Sequence, residues 1–348
     1  MSEDCSCTKN SCCCTGGESR PCCAGSIPVV PAALSLKDIL GAGKVRWGIG
    51  RMNYKVEPGL YAVGKPATGS PVLVSANYKL TFDTLRKNLS GLDCWLLILD
   101  TKGINVWCAA GKGTFATSEL VSRIQAVGLG EIVEHRNLIV PQLGATGVSS
   151  HEVARLSGFN IIYGPVRAKD IKEFISAGYK ATKEMRKVRF SFGDRLVLVP
   201  MEFVEAVKNS LFVFGVLFLI NLFAARPFGA ADFFAYSAAV VTGSVITPVF
   251  LPFIPGKAFS LKGWFLGTLS TAFFVWLYGW FTQPALLLGI GYMLALPAHS
   301  AFLALNFTGA TTYTSFSGVI KEMKIAIPAI IVSLLAGSVL ILIKTFIV

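Results

Sequence analysis

The second part of this chain is too apolar to form a water-soluble domain. Residues 206–348 contain 7 Lys and Arg and 2 Asp and Glu, whereas residues 1–205 contain 25 and 18. A helix needs about 20 apolar residues to cross a bilayer, and this part supplies five apolar runs of roughly that length. We predict spans at 211–225, 233–254, 263–281, 285–305 and 325–343. The first run is short, so its helix is expected to begin near Phe203.

Positive charges predict the orientation of these spans. A basic segment precedes the first span, and with that segment in the cytoplasm only Arg226 lies in an outside loop. The basic residues on the cytoplasmic side are Lys180, Lys183, Arg186, Lys187, Arg189, Arg195, Lys257, Lys262, Lys321 and Lys324. We therefore expect a multi-pass protein of the inner (cytoplasmic) membrane with a cytoplasmic N-terminal domain. No basic run is interleaved with aromatic residues, so the net charge of +12 indicates a membrane surface or acidic partners rather than nucleic acid.

Residues 29–205 have the pattern of a cytoplasmic α/β domain. Short, continuously apolar runs alternate with helical patterns, which is typical of a parallel sheet covered on both faces. We predict a Rossmann-like domain followed by an all-α transmembrane domain of five helices at 206–348. Strands are predicted at 45–49, 61–63, 71–76, 95–100, 138–140, 160–163 and 196–199, and helices at 82–89, 117–127, 150–156 and 170–177.

Residues 1–28 form a tail with seven of the nine cysteines. The tail has too few apolar residues to fold by itself. Adjacent thiols such as Cys22 and Cys23 suit a soft metal ion that accepts few ligands, including Hg(II). One interpretation is a dedicated site for mercury delivery, and the other is a disordered tail that scavenges any soft metal.

The segment 105–112 is the main candidate for a functional site. It follows a predicted strand and so falls at the carboxyl edge of the sheet, where open α/β folds bind ligands. Small residues allow a broad, flat ligand to approach the backbone, and a thiol lies among them. From the residues alone, Cys108 is either a functional thiol or a buried structural cysteine beside a core tryptophan. The candidate residues are Asn105, Val106, Trp107, Cys108, Ala109, Ala110, Gly111 and Lys112.

This octapeptide resembles the signature of the membrane-anchored corrinoid protein of microbial mercury methylation. Residues 45–200 also resemble the corrinoid-binding domain of the corrinoid/iron–sulfur protein of the acetyl-CoA pathway, through 51–61, 141–144, 151–153 and 163–166. The resemblance implies a cobalamin bound base-off, with the Cys108 thiolate as lower axial ligand of the cobalt. It also implies that the loop 144–150, with Gly144, Ser149 and Ser150, helps to hold the nucleotide tail. The three histidines lie in no motif for histidine-on binding.

The same resemblance implies an activity and partners. The activity is a corrinoid-dependent methyltransferase (class EC 2.1.1) that transfers methyl from methyl-Co(III) corrinoid to Hg(II) and forms methylmercury. The partners would be a ferredoxin-like protein with two 4Fe–4S clusters, a methyltetrahydrofolate-derived methyl donor, Hg(II)–thiol complexes and membrane lipid. One alternative is a corrinoid methyl carrier of one-carbon metabolism, for which mercury is an adventitious acceptor. Another is a metal transporter with a cysteine-rich sensing tail. We expect the apolar spans to form a scaffold or anchor, and the other interpretation is a path for metal or substrate.

Overall fold

A computed structural model of the chain describes residues 27–311, 314 and 316–346. These residues form two compact units. The α/β unit consists of the described residues up to Ile39 together with Met52–Lys187, and the helical unit consists of Leu40–Arg51 and the residues from Val188 onwards. Helix α1 (Leu36–Arg46) contributes residues to both units.

Five strands form one sheet in the α/β unit, in the order β1-β3-β2-β4-β5. Strands β3, β2, β4 and β5 are mutually parallel, and β1 pairs with β3 in the antiparallel direction. In the register of the parallel strands, Val72 lies opposite both Trp95 and Leu138. The strands are β1 (Gly59–Val63), β2 (Val72–Ala76), β3 (Cys94–Leu99), β4 (Asn137–Val140) and β5 (Asn160–Tyr163).

Helices cover both faces of this sheet, so each face has its own apolar core. Helices α3, α4, α5 and α6 pack on one face, and α2 and α7 pack on the other. They are α2 (Lys79–Asn88), α3 (Val106–Lys112), α4 (Thr117–Ala126), α5 (Leu129–Ile132), α6 (Ser150–Ser157) and α7 (Ile171–Ser176). The first core includes Val74, Leu97, Leu120 and Val153, and the second includes Leu73, Leu96, Phe82 and Phe174. The predicted parallel α/β sheet is confirmed, with one antiparallel edge strand.

Two predicted strands are wrong. Residues 45–49 end helix α1 and form the turn after it, because Ser35 and Asp38 start a helix there. The backbone N–H of Ser35 donates to Asp38 Oδ2 at 3.0 Å, and the N–H of Asp38 donates to Ser35 Oγ at 3.3 Å. Residues 196–199 end the short helix α8 (Phe192–Leu196) and begin α9 (Val199–Asn221). Ser191 caps α8 with a capping box, and a proline in the first turn of α9 favours helix over strand.

Charged side chains hold α1 against α2. Asp38 forms ion pairs with Lys79 at 2.6 Å and with Arg86 at 2.7 Å. Arg86 also donates to the carbonyl oxygens of Pro31 and Ala33. The hydrogen bond from Lys79 is the main cause that keeps the pKa of the Asp38 carboxyl well below its usual range, and Ser35 and Arg86 act in the same direction.

The segment that precedes α1 pairs with the free edge of β1. The backbone N–H of Val30 donates to the carbonyl of Ala62 at 2.8 Å, and the N–H of Ala62 donates to the carbonyl of Pro28 at 3.0 Å. An isolated parallel bridge joins Val29 to Ala62. The outer hydrogen-bonding groups of β1 are thus partly satisfied within the chain.

The helical unit contains long apolar helices. After α8 and α9 come α10 (Ala230–Val241), a π-helical segment (Thr242–Ile246), α11 (Thr247–Phe250), α12 (Phe259–Leu277), α13 (Leu286–Asn306) and α14 (Phe316–Phe346). Within the described residues, four stretches are long and apolar enough to cross a membrane. They are Phe192–Asn221, Ala230–Phe250, Leu286–Gly309 and Ser317–Phe346. The predicted span at 263–281 corresponds to α12, which is not among these four stretches, so this fifth span stays a prediction.

Glycine residues bring three of these helices close together. A Cβ on Gly267 of α12 would lie 2.7 Å from the Cβ of Ser300 on α13. A Cβ on Gly337 of α14 would lie 2.6 Å from the carbonyl oxygen of Gly291 on α13. Such distances leave no room for a larger side chain, and small residues commonly mediate close helix packing in membranes.

Buried polar side chains of the helical unit are largely paired with one another. Asp232 accepts hydrogen bonds from the Tyr292 hydroxyl at 2.6 Å and the Gly229 N–H at 2.8 Å, and it pairs with Arg226 at 3.1 Å. The ring of His299 packs on the Tyr236 ring at a centroid distance of 5.2 Å. The hydrogen bonds give the buried Asp232 carboxylate several partners, whereas Arg226 Nη1 and Thr271 Oγ1 have none among the described residues.

Candidate functional site at the carboxyl edge of the sheet

Helix α3 presents Cys108 beside the carboxyl end of β3. Asn105 caps this helix, since its Oδ1 accepts a hydrogen bond from the Cys108 N–H at 2.9 Å. Val106, Ala109 and Ala110 are buried against the sheet, while Cys108 is partly exposed. The predicted position of this segment at the carboxyl edge is therefore confirmed.

The side chains of the segment 105–112 differ in exposure along α3. Trp107 is partly exposed like Cys108, and Gly111 and Lys112 are exposed. The interpretation of Cys108 as a buried structural cysteine beside a core tryptophan does not describe these side chains. The role of Cys108 as a cobalt ligand stays a prediction.

Cys94 shows what a buried cysteine looks like in this unit. Its side chain at the start of β3 is 0% exposed, and burial raises the pKa of its thiol to about 12. It is therefore protonated at neutral pH and inaccessible to a ligand. Cys94 gives a matched control for experiments on Cys108.

Asn77 organises the loop that leads from β3 to α3, although the sequence analysis did not single it out. Its Oδ1 accepts hydrogen bonds from the backbone N–H of Thr101 at 3.1 Å and of Gly103 at 3.0 Å. Its Nδ2 donates to Asp100 Oδ1 at 3.1 Å, and its side chain is almost fully buried. The only local signal is a polar residue directly after the fully buried strand β2.

Glu119 of α4 supports the same loop from the other side. Its Oε1 accepts a hydrogen bond from the Asp100 N–H at 2.9 Å and forms an ion pair with Arg123 at 2.8 Å. Asp100 itself pairs with Lys102, and this hydrogen bond is the main cause that lowers the pKa of the Asp100 carboxyl. The end of β3 is thus fixed by side chains from β2, α4 and its own loop.

The predicted loop 144–150 lies directly against the residues that follow α3. A Cβ on Gly144 would lie 2.5 Å from the Phe115 ring, and one on Gly147 would lie 2.0 Å from the Phe115 carbonyl oxygen. The Thr117 N–H donates to the Gly147 carbonyl at 3.1 Å, and the Ser149 N–H donates to Thr117 Oγ1 at 2.9 Å. The structure therefore brings the two predicted segments together.

Ser149 and Ser150 have different positions in this loop. The Ser149 hydroxyl accepts a hydrogen bond from the Glu152 N–H at 3.4 Å and so caps α6. Ser150 is the first residue of α6 and is exposed. Both serines are exposed.

The remaining predicted metal ligands, Cys22 and Cys23, lie outside the described residues. Within residues 27–346 as far as they are described, no three His, Cys, Asp or Glu side chains converge to hold a metal ion. A metal at the carboxyl edge would thus have Cys108 as a ligand without a surrounding group of His, Cys, Asp or Glu side chains among the described residues.

The exposed side of α3 has open space beside its last turn. A Cβ built on Gly111 or Gly113 would meet no atom within 4 Å, so the space beside the last turn is open. Gly113 ends the helix in the left-handed conformation with φ of 75°. An accessible soft donor therefore lies beside a surface that small residues leave free.

The helical unit also contains a cavity of about 910 Å³. Apolar residues of α12, α13 and α14 line most of it, including Leu261, Trp264 and Ile325. Glu322 and Ser260 lie in its wall, where Glu322 Oε1 accepts hydrogen bonds from the Ser260 N–H at 2.7 Å and hydroxyl at 2.8 Å. A path through the helical unit, if the transporter hypothesis holds, would include this cavity.

Comparisons with known proteins relate the α/β unit to one group of subunits. A family described as CO dehydrogenase/acetyl-CoA synthase delta subunit matches residues 49–175. This range includes the strands β1 to β5, the α3 segment and the loop 144–150. Residues 49–175 are thus similar to part of a subunit of that description.

Several proteins with similar sequences are named as gamma subunits of acetyl-CoA decarbonylase/synthase complexes. The acetyl-CoA decarbonylase/synthase complex subunit gamma of Methanopyrus kandleri is 33% identical over 123 residues, which is 35% of this chain and 26% of the relative. The subunit of the same name from Archaeoglobus fulgidus is 31% identical over 131 residues, or 37% and 27%. Subunit gamma 2 of Methanosarcina thermophila is 38% identical over 94 residues, or 26% and 20%. The chain spans about a quarter of the length of the first of these relatives.

Proposed function

We propose that the α/β unit binds a corrinoid and takes part in methyl transfer, with the Cys108 thiolate as lower axial ligand of the cobalt. The observation that carries this proposal is the partly exposed thiol in the first turn of α3, at the carboxyl edge of a parallel sheet. The similarity of residues 49–175 to an acetyl-CoA synthase subunit supports it. A thiolate is a soft donor that suits a transition metal.

The residues around Cys108 would hold this cofactor in different ways. Asn105 fixes the backbone of Cys108 through its N-cap hydrogen bond, and Asn77 fixes the loop before it. Trp107 and Gly111 would contact the flat face, one through apolar surface and the other through close approach of the backbone. Bound there, a corrinoid supplies a cobalt centre that accepts a methyl group from one molecule and releases it to another.

The loop 144–150 is proposed to hold the nucleotide tail of a base-off cobalamin. Its glycines pack against Phe115, which fixes the loop beside α3. Ser149 and Ser150 would each contribute a hydroxyl, since both residues are exposed and the Ser149 hydroxyl, which accepts from the Glu152 N–H, can still donate. Gly144 serves the packing of the loop, since a Cβ there would overlap the Phe115 ring.

Two methyl acceptors are compatible with this site. Mercury as acceptor rests on the octapeptide 105–112 and on the thiols of the tail, since Hg(II) is a soft electrophile. A corrinoid methyl carrier of one-carbon metabolism is favoured by the similarity to acetyl-CoA decarbonylase/synthase subunits. The finer proposal is a methyltransferase that forms methylmercury, and the carrier is the better supported of the two.

Partners follow from the same similarity. An iron–sulfur protein, here a ferredoxin-like protein with two 4Fe–4S clusters, would return electrons to the cofactor. A methyltetrahydrofolate-derived donor would supply the methyl group. The apolar helices support an attachment to a membrane, proposed to be the cytoplasmic membrane with the α/β unit in the cytoplasm.

The experiment compares the full-length chain with Cys108→Ala and Cys94→Ala in detergent. Each protein is loaded with methylcobalamin and given Hg(II)–thiol complex, and the cobalamin absorbance spectrum and methylmercury are measured. We expect Cys108→Ala to lose the spectrum of the thiolate-ligated cofactor and methylmercury formation, while Cys94→Ala keeps both. Free methylcobalamin is the background.

The other outcomes separate the proposals. Full activity and an unchanged spectrum in Cys108→Ala would overturn the axial-ligand assignment. The wild-type chain could bind a corrinoid and transfer methyl to a one-carbon acceptor but not to Hg(II). That result would support the methyl carrier and refute the mercury methyltransferase. A wild-type chain that binds no corrinoid would refute the proposed function.

A further inference from the structure

Helix α1 exposes an apolar stripe. Leu36, Leu40, Gly43 and Trp47 recur at helical spacing and so lie on one face, and their three large side chains are 79%, 66% and 52% exposed. Trp47 continues the helical turn, because its N–H donates to the Gly43 carbonyl at 3.2 Å. On the opposite face Val45 is buried. A water-exposed helix normally shows the reverse pattern.

Among residues 27–187, exposure of this kind is concentrated at α1 and the residues just after it. Ile39, Ile49 and Met52 are also exposed large apolar residues. Between residues 53 and 187, by contrast, only Leu156 and Tyr179 are exposed large apolar residues. A contiguous apolar patch of this kind indicates a contact surface rather than ordinary surface composition.

The second half of α1 belongs to the helical unit and lies next to the start of α9. A Cβ on Gly48 would lie 3.9 Å from Val204 Cγ1. The charge of Arg51 also acts on Glu202, two residues before Val204 on α9. Counting about 20 residues back from Asn221, where α9 ends, places the start of its membrane-crossing part near Phe203. Gly48 and Arg51, just after α1, are therefore at the level where α9 would enter the hydrocarbon.

Basic side chains flank the stripe. At 100° per residue, Lys37 and Lys44 lie along one side of it and Arg46 along the other, and all three are exposed. Long basic side chains in this position can keep their charge at the headgroups while their stems cover apolar surface. Trp47 at the end of the stripe is a residue type enriched at membrane interfaces.

We propose that α1 and the turn after it lie flat in the headgroup region of the bilayer that α9 crosses, with the stripe Leu36, Leu40, Gly43 and Trp47 facing the acyl chains. The occupant of this face is an anionic phospholipid surface, because three basic residues and no exposed acidic residue border it. The inference is independent of the corrinoid chemistry of the α/β unit.

Photo-cross-linking of the full-length chain in membranes tests this proposal. The photoreactive residue p-benzoylphenylalanine replaces Leu40, Trp47 or, as a matched control, Leu156, an exposed leucine on α6 that is remote from the stripe in sequence. The proteins are placed in vesicles of phosphatidylcholine with phosphatidylglycerol, irradiated, and searched for lipid adducts by mass spectrometry. We expect lipid adducts at Leu40 and Trp47 and only background at Leu156.

A second arm tests the role of charge. The combined variant Lys37→Gln, Lys44→Gln and Arg46→Gln should lower the yield of phosphatidylglycerol adducts at Leu40 relative to phosphatidylcholine adducts. Adducts to a second copy of the chain or to another protein, in place of lipid, would overturn the proposal. So would equal lipid labelling at Leu156, or the absence of lipid adducts at both Leu40 and Trp47.

Discussion

Replacing Asn77 by alanine removes the acceptor that fixes the loop before Cys108. The backbone N–H groups of Thr101 and Gly103 both donate to Asn77 Oδ1, at 3.1 and 3.0 Å. Thr101 is fully buried, so its N–H loses its partner without gaining water, which costs about 1–3 kcal/mol. Gly103 is partly exposed, so its N–H can bind water instead, and loss of its hydrogen bond to Asn77 costs about 1 kcal/mol. The loop is therefore expected to lose about 2–4 kcal/mol of local stability.

Hydrogen exchange of the full-length chain measures this loss directly. At about 1.4 kcal/mol per factor of ten, amides of the 101–108 segment should exchange about 30- to 700-fold faster in Asn77→Ala. The matched control is Asn88→Ala, since the Asn88 side chain donates to the Thr84 carbonyl at 2.8 Å on an exposed helix surface. That variant should leave the segment unchanged. Exchange in Asn77→Ala that equals the wild type would refute the assignment of Asn77 as the residue that positions this loop.

Three further variants test packing and charge. Gly147→Ala should lower the free energy of unfolding by about 1–3 kcal/mol, because its Cβ would lie 2.0 Å from the Phe115 carbonyl oxygen. Gly111→Ala, with no atom within 4 Å of its Cβ, should not lower it, and equal melting temperatures of both variants would contradict this. The ion pair with Lys79 lowers the pKa of Asp38 in the folded state below its unperturbed value of 3.8. Asp38 therefore contributes stability above pH 3.8, and this contribution is lost as the pH falls from 3.8 towards the lower pKa of the folded state. Thermal unfolding of Asp38→Asn should therefore show lower stability at pH 7 and a smaller loss on acidification than the wild type; an identical pH dependence would count against the ion pair.

Most of the sheet could be predicted from the sequence because its signal is local. Strands β2 to β5 are short apolar runs, and each is followed by polar residues and a helical pattern. The segment 45–49 misled the prediction, since apolar residues there are as consistent with the end of an amphipathic helix as with a strand. The capping pair Ser35 and Asp38 lies ten residues earlier and decides the question.

The candidate site could be predicted in part for the same reason. Asn105 to Lys112 and the loop 144–150 follow strands, and the carboxyl ends of parallel strands meet at one edge, so their proximity follows from the topology. Asn77 was missed because its bonding partners, Thr101 and Gly103, lie more than twenty residues away along the chain. The π-helical segment 242–246 was also missed; within it, Gly243 packs against Ser300 of another helix, a contact that the local sequence does not reveal.

The pairing of Pro28 and Val30 with β1 has a consequence for protein engineering. β1 is the outermost strand of the sheet, and its outward N–H and C=O groups meet this segment instead of another molecule. An uncovered edge strand is a template for association with a neighbouring chain. A truncation designed to remove the cysteine-rich tail should therefore end before Ile27. A cut at Pro31 would expose the edge, and the resulting aggregation would be mistaken for a requirement for the cysteines.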